Sequence, residues 1–237
     1  MKPFVADTHM HSIVSGHAFG TIRELAAGAA ERGLKLIGVT DHAPGIPGTA
    51  EAIYFRSFSD APRLLCGVEM LYGSEVNILP GGGLTLDERT LSFLDYAVAG
   101  IHGYCYQDEG KNRNTDAVIR CMENKKVRFI SHPDSNGFPM DYPALVQGAK
   151  AYGVALELNN SSLRHPHARP GCVENYGKMI PLCMEHGVPI IVNTDAHDPA
   201  AVGDFTAARE LLSKMDINEE LILNNDLAKL KAFLLQQ

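Results

Sequence analysis

The 237-residue sequence has no Cys-x-x-Cys pair, no glycine-rich dinucleotide fingerprint and no long apolar run. Each absence removes a class of protein. The five cysteines, Cys66, Cys105, Cys121, Cys172 and Cys183, lack the spacing of a structural zinc or redox motif. In a chain of this length they read as reduced, mostly buried thiols of a cytoplasmic protein. No stretch approaches the roughly 20 apolar residues of a membrane helix. The segment from Met1 to Asp7 also lacks the apolar core of a signal peptide, so no membrane partner is expected. Basic residues are in deficit, with 21 Lys and Arg against 28 Asp and Glu and a net charge of −7. That balance disfavours nucleic acid as a partner, because such binders present a basic face. Repeats, low-complexity tracts and linker-like stretches are missing too. With 45% hydrophobic and 21% charged residues, a single domain over residues 1–237 with a real core is expected.

What recurs is a short apolar run that ends in His, Asp or Glu. Phe4 to Ala6 leads to His9 and His11, Leu34 to Val39 to Asp41 and His42, and Leu64 to Val68 to Glu69. Tyr96 to Ile101 leads to His102, Val127 to Ser131 to His132, Val154 to Leu158 to Asn159 and Asn160, and Val188 to Val192 to Asp195 and His197. Continuous apolar runs of this length suit buried parallel strands. Between them, Thr21 to Arg32 reads as a helix with a Thr21/Glu24 capping box and Gly33 at its end, and Tyr142 to Tyr152 and Tyr176 to His186 also stop at glycines. Gly81 to Gly83 reads as a hairpin turn. Alternating β and α predicts an α/β fold. A closed barrel would gather every strand's C-terminal end, and so every polar residue, at one face. An open doubly wound sheet is the alternative, but it lacks its glycine signature.

Seven of the ten histidines, His9, His11, His17, His42, His102, His132 and His197, lie at or just beyond predicted strand ends. Residues two apart on a strand point the same way, so His9-x-His11 can offer two imidazoles to one cation, and Asp195-x-His197 repeats the pattern. Packed imidazoles without a metal would leave nitrogens unpaired or repel each other when protonated. A donor set of imidazole and carboxylate suits Zn, with Mn or Fe as alternatives.

These pieces, in order, resemble the PHP (polymerase and histidinol phosphatase) superfamily, and within it the stand-alone YcdX-like phosphatases. The resemblance rests on Asp7-Thr8-His9-Met10-His11-Ser12, His17, Thr40-Asp41-His42, Gly73-Ser74-Glu75-Val76-Asn77-Ile78, Ala99-Gly100-Ile101-His102, Ile130-Ser131-His132-Pro133, Leu156 to Ser162, and Thr194-Asp195-Ala196-His197. It implies a distorted (β/α)7 barrel, similar to a TIM barrel, with three metals, zinc first, at its mouth. By the same resemblance His9, His11, Glu75 and Asp195 would hold one metal and His17, His42 and His197 a second. His102 and His132 would hold the third, with Glu75 as bridge. Strand-end logic alone favours Glu69 as the bridging carboxylate, but the family motif fits Glu75, which we prefer.

The implied activity is hydrolysis of phosphate esters, a phosphomonoesterase reaction on a small phosphorylated substrate, by a hydroxide bridging the metals. Rival readings are a nuclease or DNA-end phosphoesterase, a histidinol phosphatase, or a non-catalytic metal-binding interaction module. Asp7 and Asp41 are expected to orient neighbouring imidazoles by accepting their N–H groups; capping a turn is the alternative. Asp41, Asp198 and His165 are candidate proton donors to the leaving group. The loop from Asn159 to Gly171 should overhang the pocket, with Asn160, Arg164 and Arg169 as candidate substrate contacts. His186 suits a helix C-terminus. A monomer or a small homo-oligomer is expected.

Overall fold

Apolar runs of four or five residues build most of the strands, and capped amphipathic segments build the helices between them. The computed structural model describes residues 2–236. Its strands are β1 (Ala6–Asp7), β2 (Leu36–Val39), β3 (Leu64–Leu65), β4 (Val68–Asn77), β5 (Tyr96–Gly100), β6 (Val127–Ile130), β7 (Ala155–Asn159) and β8 (Ile190–Asn193). All but β3 run parallel, in the order β1-β2-β4-β5-β6-β7-β8. The α-helices are α1 (Ile22–Glu31), α2 (Ala52–Arg56), α3 (Glu88–Leu91), α4 (Lys111–Cys121), α5 (Tyr142–Tyr152), α6 (Asn160–Arg164), α7 (Cys172–His186), α8 (Thr206–Leu212) and α9 (Leu227–Leu234). Among the described residues no helix is long and apolar enough to cross a membrane.

The strands enclose a lumen. Ala6, Leu36, Leu71, Tyr96, Val98, Phe129, Ala155 and Ile191, at least one from each parallel strand, form a buried inner cluster with Leu223, Leu230 and Leu234. Leu230 and Leu234 come from α9, which plugs the end of the barrel where the strands begin. A second cluster packs the outer strand faces against the helices. This is the expected distorted seven-stranded barrel, nearly closed. The seam between β1 and β8 is bridged by Asn224. Its Oδ1 accepts from Val192 N–H at 2.7 Å, its Nδ2 donates to Ala6 O at 3.0 Å and Val192 O at 2.8 Å, and its own carbonyl accepts from Val5 N–H at 2.9 Å. Farther along, Asp195 N–H donates to His9 O and His11 N–H to Ala196 O, which ties the two strand ends together over the lumen.

Helix α1 starts on the predicted capping box, in which Thr21 and Glu24 satisfy each other's backbone N–H groups. α5 and α7 end on Gly153 and Gly187, both left-handed. α7 begins at Cys172, four residues before the expected Tyr176. The Gly81–Gly83 segment is a turn, closed by Leu79 N–H on Gly83 O. One strand differs from expectation. Leu64 to Val68 is not a strand leading out to Glu69. Cys66 and Gly67 have φ of 52° and 79° and reverse the chain, so β3 pairs antiparallel with the start of β4. Two successive positive-φ residues are the signature of a tight hairpin turn. Glu69 therefore lies at the beginning of β4, at the α9 end of the barrel, where it pairs with Lys231.

Candidate metal centre

Strand period decides what faces the lumen. On β4, the inward Leu71 is followed by Gly73 and then Glu75. On β5, Tyr96 and Val98 are followed by Gly100 and His102. On β7, Ala155 is followed by Glu157 and Asn159. The inner face thus turns from apolar to polar toward the strands' C-terminal ends. There the structure brings His9, His11, His17, His42, Glu75, His102, His132, Asp195 and His197 together, from the ends of six parallel strands.

Glu75 stands at the centre, fully buried. Its Oε2 lies 2.9 Å from His42 Nδ1, 3.4 Å from His9 Nε2 and 3.5 Å from His11 Nε2, and its Oε1 lies 2.9 Å from His132 Nε2 and 3.3 Å from His102 Nε2. Ser131 Oγ donates to Oε1 at 2.6 Å. Asp195 Oδ1 lies 3.1 Å from His11 Nε2 and 3.6 Å from His9 Nε2. His17 Nε2 and His197 Nε2 face each other at 3.0 Å. Ligand atoms that could hold an ion converge in three groups: His9, His11 and Asp195; His11, His42 and His197; and His42, Glu75 and His102. His11 and His42 each belong to two groups, so the expected partition into separate ligand sets is less sharp in the side-chain positions. Gly100 admits this crowding, because a Cβ there would lie 2.4 Å from Ser131 Oγ and 2.8 Å from Glu75 Oε1.

Four of the outer ring nitrogens are tied down. His9 Nδ1 bonds Glu157 Oε1 at 2.8 Å. His102 Nδ1 donates to Asn77 Oδ1 at 2.8 Å, an orientation set by Asn77 Nδ2 donating to Ala43 O and Pro44 O. His197 Nδ1 donates to the carbonyl of Asp195 at 3.0 Å. Ser15 Oγ gives its proton to Asp41 at 2.7 Å and receives His42 N–H, so it must accept from His11 Nδ1. His11, His102 and His197 are thereby held as tautomers with the Nε2 lone pair turned inward.

Charge follows the same layout. Burial would raise the Glu75 carboxyl, but His102, His9, His42 and His132 hold it well below the usual carboxylate range. Asp195 behaves alike: burial opposes ionisation, yet the imidazoles of His9, His11 and His197 around it keep it far down. Burial, with His42 and His197 alongside, pushes His11 well down, and burial also lowers His17 and His102. His9 is the exception. Burial works against its charge, but Glu157, Glu75 and Asp195 hold its pKa well above the ordinary imidazole value.

Several expected roles fall elsewhere. Asp7 touches no imidazole N–H; it accepts from Thr194 N–H, Thr194 Oγ and Gly203 N–H, which fixes the turn after β8. Asp41 acts on His11 only through Ser15. It also accepts from Ser12 N–H, Ser12 Oγ and Tyr54 OH, so both oxygens serve as acceptors and neither is placed to give a proton. Asp198 caps a short 3₁₀ turn through Ala200 N–H. Arg164 pairs with Asp204 at 3.1 Å, and Asn160 Oδ1 accepts from Ala208 N–H. Arg164 and Asn160, with His165 and Asp198, line a side cavity of about 360 Å³ that meets the cluster only at Asp195 and His197. Arg169 lines the cluster's main cavity, about 420 Å³, which opens directly onto it. His186 sits in the last turn of α7, beside Gln147. Sequence reasoning gave no role to Glu157, although a lone Glu inside an apolar strand signalled one.

Comparison with known proteins gives the family. The PHP domain family matches residues 7–161. The chain belongs to that family. It is 37% identical to a protein named "Probable phosphatase" from Clostridium novyi, over 98% of this chain and 94% of the relative. It is 40% identical to another of that name from Thermoanaerobacter sp. strain X514, over 97% and 94%. Among solved structures, a histidinol phosphate phosphatase from Lactococcus lactis, complexed with zinc, L-histidinol and phosphate, superposes with a TM-score of 0.60. It shares 18% identity and covers 89% of this chain and 93% of its own, a likeness of fold alone.

Proposed function

We propose that this PHP-family chain is a phosphomonoesterase whose nine clustered side chains hold three metal ions, zinc first, with Mn or Fe as alternatives. Its class, a metal-dependent phosphatase, rests on family membership and on relatives named as phosphatases. The observation that carries the metal site is Glu75, a buried carboxylate ringed by five imidazoles at 2.9–3.5 Å. A donor fit supports it. His42 Nδ1, Glu75 Oε2, His102 Nε2 and Asp195 Oδ1 are buried and have no hydrogen-bond partner among the described residues. Such atoms are costly unless a cation satisfies them. Zinc suits imidazole and carboxylate together, and the Lactococcus lactis relative carries it.

His9, His11, Glu75 and Asp195 would hold one ion, His17, His42 and His197 another, and His102 and His132 with Glu75 the third. The chemistry such ions supply when bound is an activated water and charge neutralisation at phosphoryl oxygens. The chain supplies the rest. Glu157, Asn77 and the Ser15–Asp41 pair fix ring orientation and tautomer. Arg169, at the rim of the main cavity, offers a planar fork for a phosphate oxygen pair. Its neighbours Ala168 and Pro170 line the same cavity. Elemental analysis beside hydrolysis of a generic aryl phosphate, with and without chelator, tests this. About three ions per chain with chelator-sensitive turnover support it; a tightly metal-free protein that still hydrolyses the ester refutes it.

A further inference from the structure

The main cavity is larger and less polar than a phosphoryl group requires. Its volume of about 420 Å³ falls in the range of sites that enclose a small organic molecule. One wall is the cluster itself, with His17, His42, His102, His132, Asp195 and His197 all exposed to it. The apolar part of the lining is Ile46, Ile101, Tyr104, Phe138, Ala168 and Pro170. Beyond the cluster, the cavity's only polar side-chain groups are Ser135, Arg169 and the Tyr104 hydroxyl. A leaving group made only of sugar or polyol, with no ring to bury, would lose its water there and find few partners. The side cavity is the polar one, and it reaches the cluster at two residues only.

Tyr104 stands out in this lining. It is 73% exposed, and among the described residues no side chain hydrogen-bonds it or packs a ring on it. The backbone that carries it is fixed: Cys105 N–H and Tyr106 N–H both donate to His102 O at 2.9 Å, which pins the turn to a residue of the cluster. The Arg169 guanidinium, also free of hydrogen bonds and ion pairs among the described residues, adds a second flat surface that stacks on rings.

Resting on the phosphoesterase reading above, we infer that the leaving group of the natural substrate carries a planar apolar ring, seated on Tyr104 against this apolar lining. Aromatic faces favour offset or edge contacts with other rings, so Tyr104 is a specificity-determining residue. The ring could belong to a nucleoside or to a smaller aromatic alcohol.

The test compares benzyl phosphate, ethyl phosphate and adenosine 5′-monophosphate on the metal-loaded protein. Benzyl alcohol and ethanol are leaving groups of similar acidity, so their ratio of kcat/KM reports binding of the ring. We expect benzyl phosphate to exceed ethyl phosphate about tenfold. Tyr104→Ala should lower that ratio about three- to tenfold, chiefly through KM, and Tyr104→Phe should restore it. Preference for the nucleotide over benzyl phosphate assigns the ring to a nucleoside; the reverse assigns it to an aromatic alcohol. A native ratio near one, or a ratio unmoved by Tyr104→Ala, overturns the inference. No turnover of any of the three esters sinks the phosphoesterase reading itself, and this inference with it.

Discussion

Glu157→Gln is the sharpest probe of how the cluster is held. The side chain is fully buried and takes four donors. Oε1 receives His9 Nδ1 at 2.8 Å and Asn193 Nδ2 at 2.9 Å; Oε2 receives His132 N–H at 2.8 Å and Asn159 Nδ2 at 3.0 Å. An amide has one oxygen, so whichever way it turns, two donors meet an NH₂ group instead of an acceptor. Hydrogen bonds to a carboxylate contribute about 1.5–3 kcal/mol each, so the loss is about 3–6 kcal/mol. For a chain of this size that lowers Tm by about 6–24 °C. If the amide NH₂ faces His9, the ring must move its proton to Nε2, inside the cluster, and one inward lone pair is lost. Disturbing a partner of this kind weakens metal binding about 10–100-fold. Thermal unfolding of the chelated variant reads the first effect, and chelator competition on the metal-loaded variant reads the second. Tm within about 2 °C of native, together with native metal affinity, would refute the assignment of Glu157 as the holder of both histidines.

Four further outcomes are expected. Glu75→Gln abolishes hydrolysis, whereas Glu69→Gln keeps it and changes stability by less than about 1 kcal/mol, since it breaks only a half-exposed pair with Lys231; the reverse pattern in a turnover assay would show that the wrong carboxylate was chosen. His102→Ala loses one ion by elemental analysis and most turnover but keeps a cooperative melt; native metal content with native turnover contradicts it. Asn224→Ala removes three hydrogen bonds at the barrel seam and lowers stability by about 2–4 kcal/mol, read by denaturant unfolding; an unchanged midpoint argues against the seam's role. Metal affinity falls with acid by about tenfold per pH unit near neutrality. The sign follows from His9, whose raised pKa keeps a proton that metal must displace, while His11, His17 and His102 are pushed down and Glu75 and Asp195 are already ionised. By the same linkage, the chelated protein loses His9's contribution to stability as pH rises through that raised value. Chelator competition at three pH values checks it, and a flat profile removes His9 from the account.

The sequence made the barrel and the cluster legible for one physical reason: a buried parallel strand must be apolar along its length, so a His or Asp at its end stands out. Where that contrast fails, so does the reading. Leu64 to Val68 is apolar on both sides of a hairpin, and only Gly67 betrays the turn that sends Glu69 to the far end of the barrel. The first turn of α7 carries Val173 and Glu174 outward, so no apolar period marks its start. Asn224 is a loop residue whose side chain takes the place of a strand's backbone between β1 and β8, a role without local signature. Asp7 and Asp41 both stand two residues or fewer from a histidine in sequence, but strand geometry turns them from its ring; proximity along the chain was the wrong guide.

Two residues of the cluster show how the chain keeps it assembled. His132 and Asp195 have φ of 30° and 51°, and with Cys66 in its hairpin they are the non-glycine residues at positive φ among those described. Glycine would relieve the strain, but a glycine has no imidazole or carboxylate to offer, so the conformation must be held by other contacts. Those contacts belong to the cluster. His132 N–H donates to Glu157 at 2.8 Å, and Asp195 N–H donates to His9 O at 2.9 Å. Each strained backbone is thus clamped by a group that also positions His9. Strain of about 1–3 kcal/mol per residue is therefore held in place by Glu157 and by the His9 carbonyl just past β1, which couples the histidines at the two strand ends. On this reasoning Glu157→Gln should disturb His132 as well as His9, and the metals lost should include those bound by both.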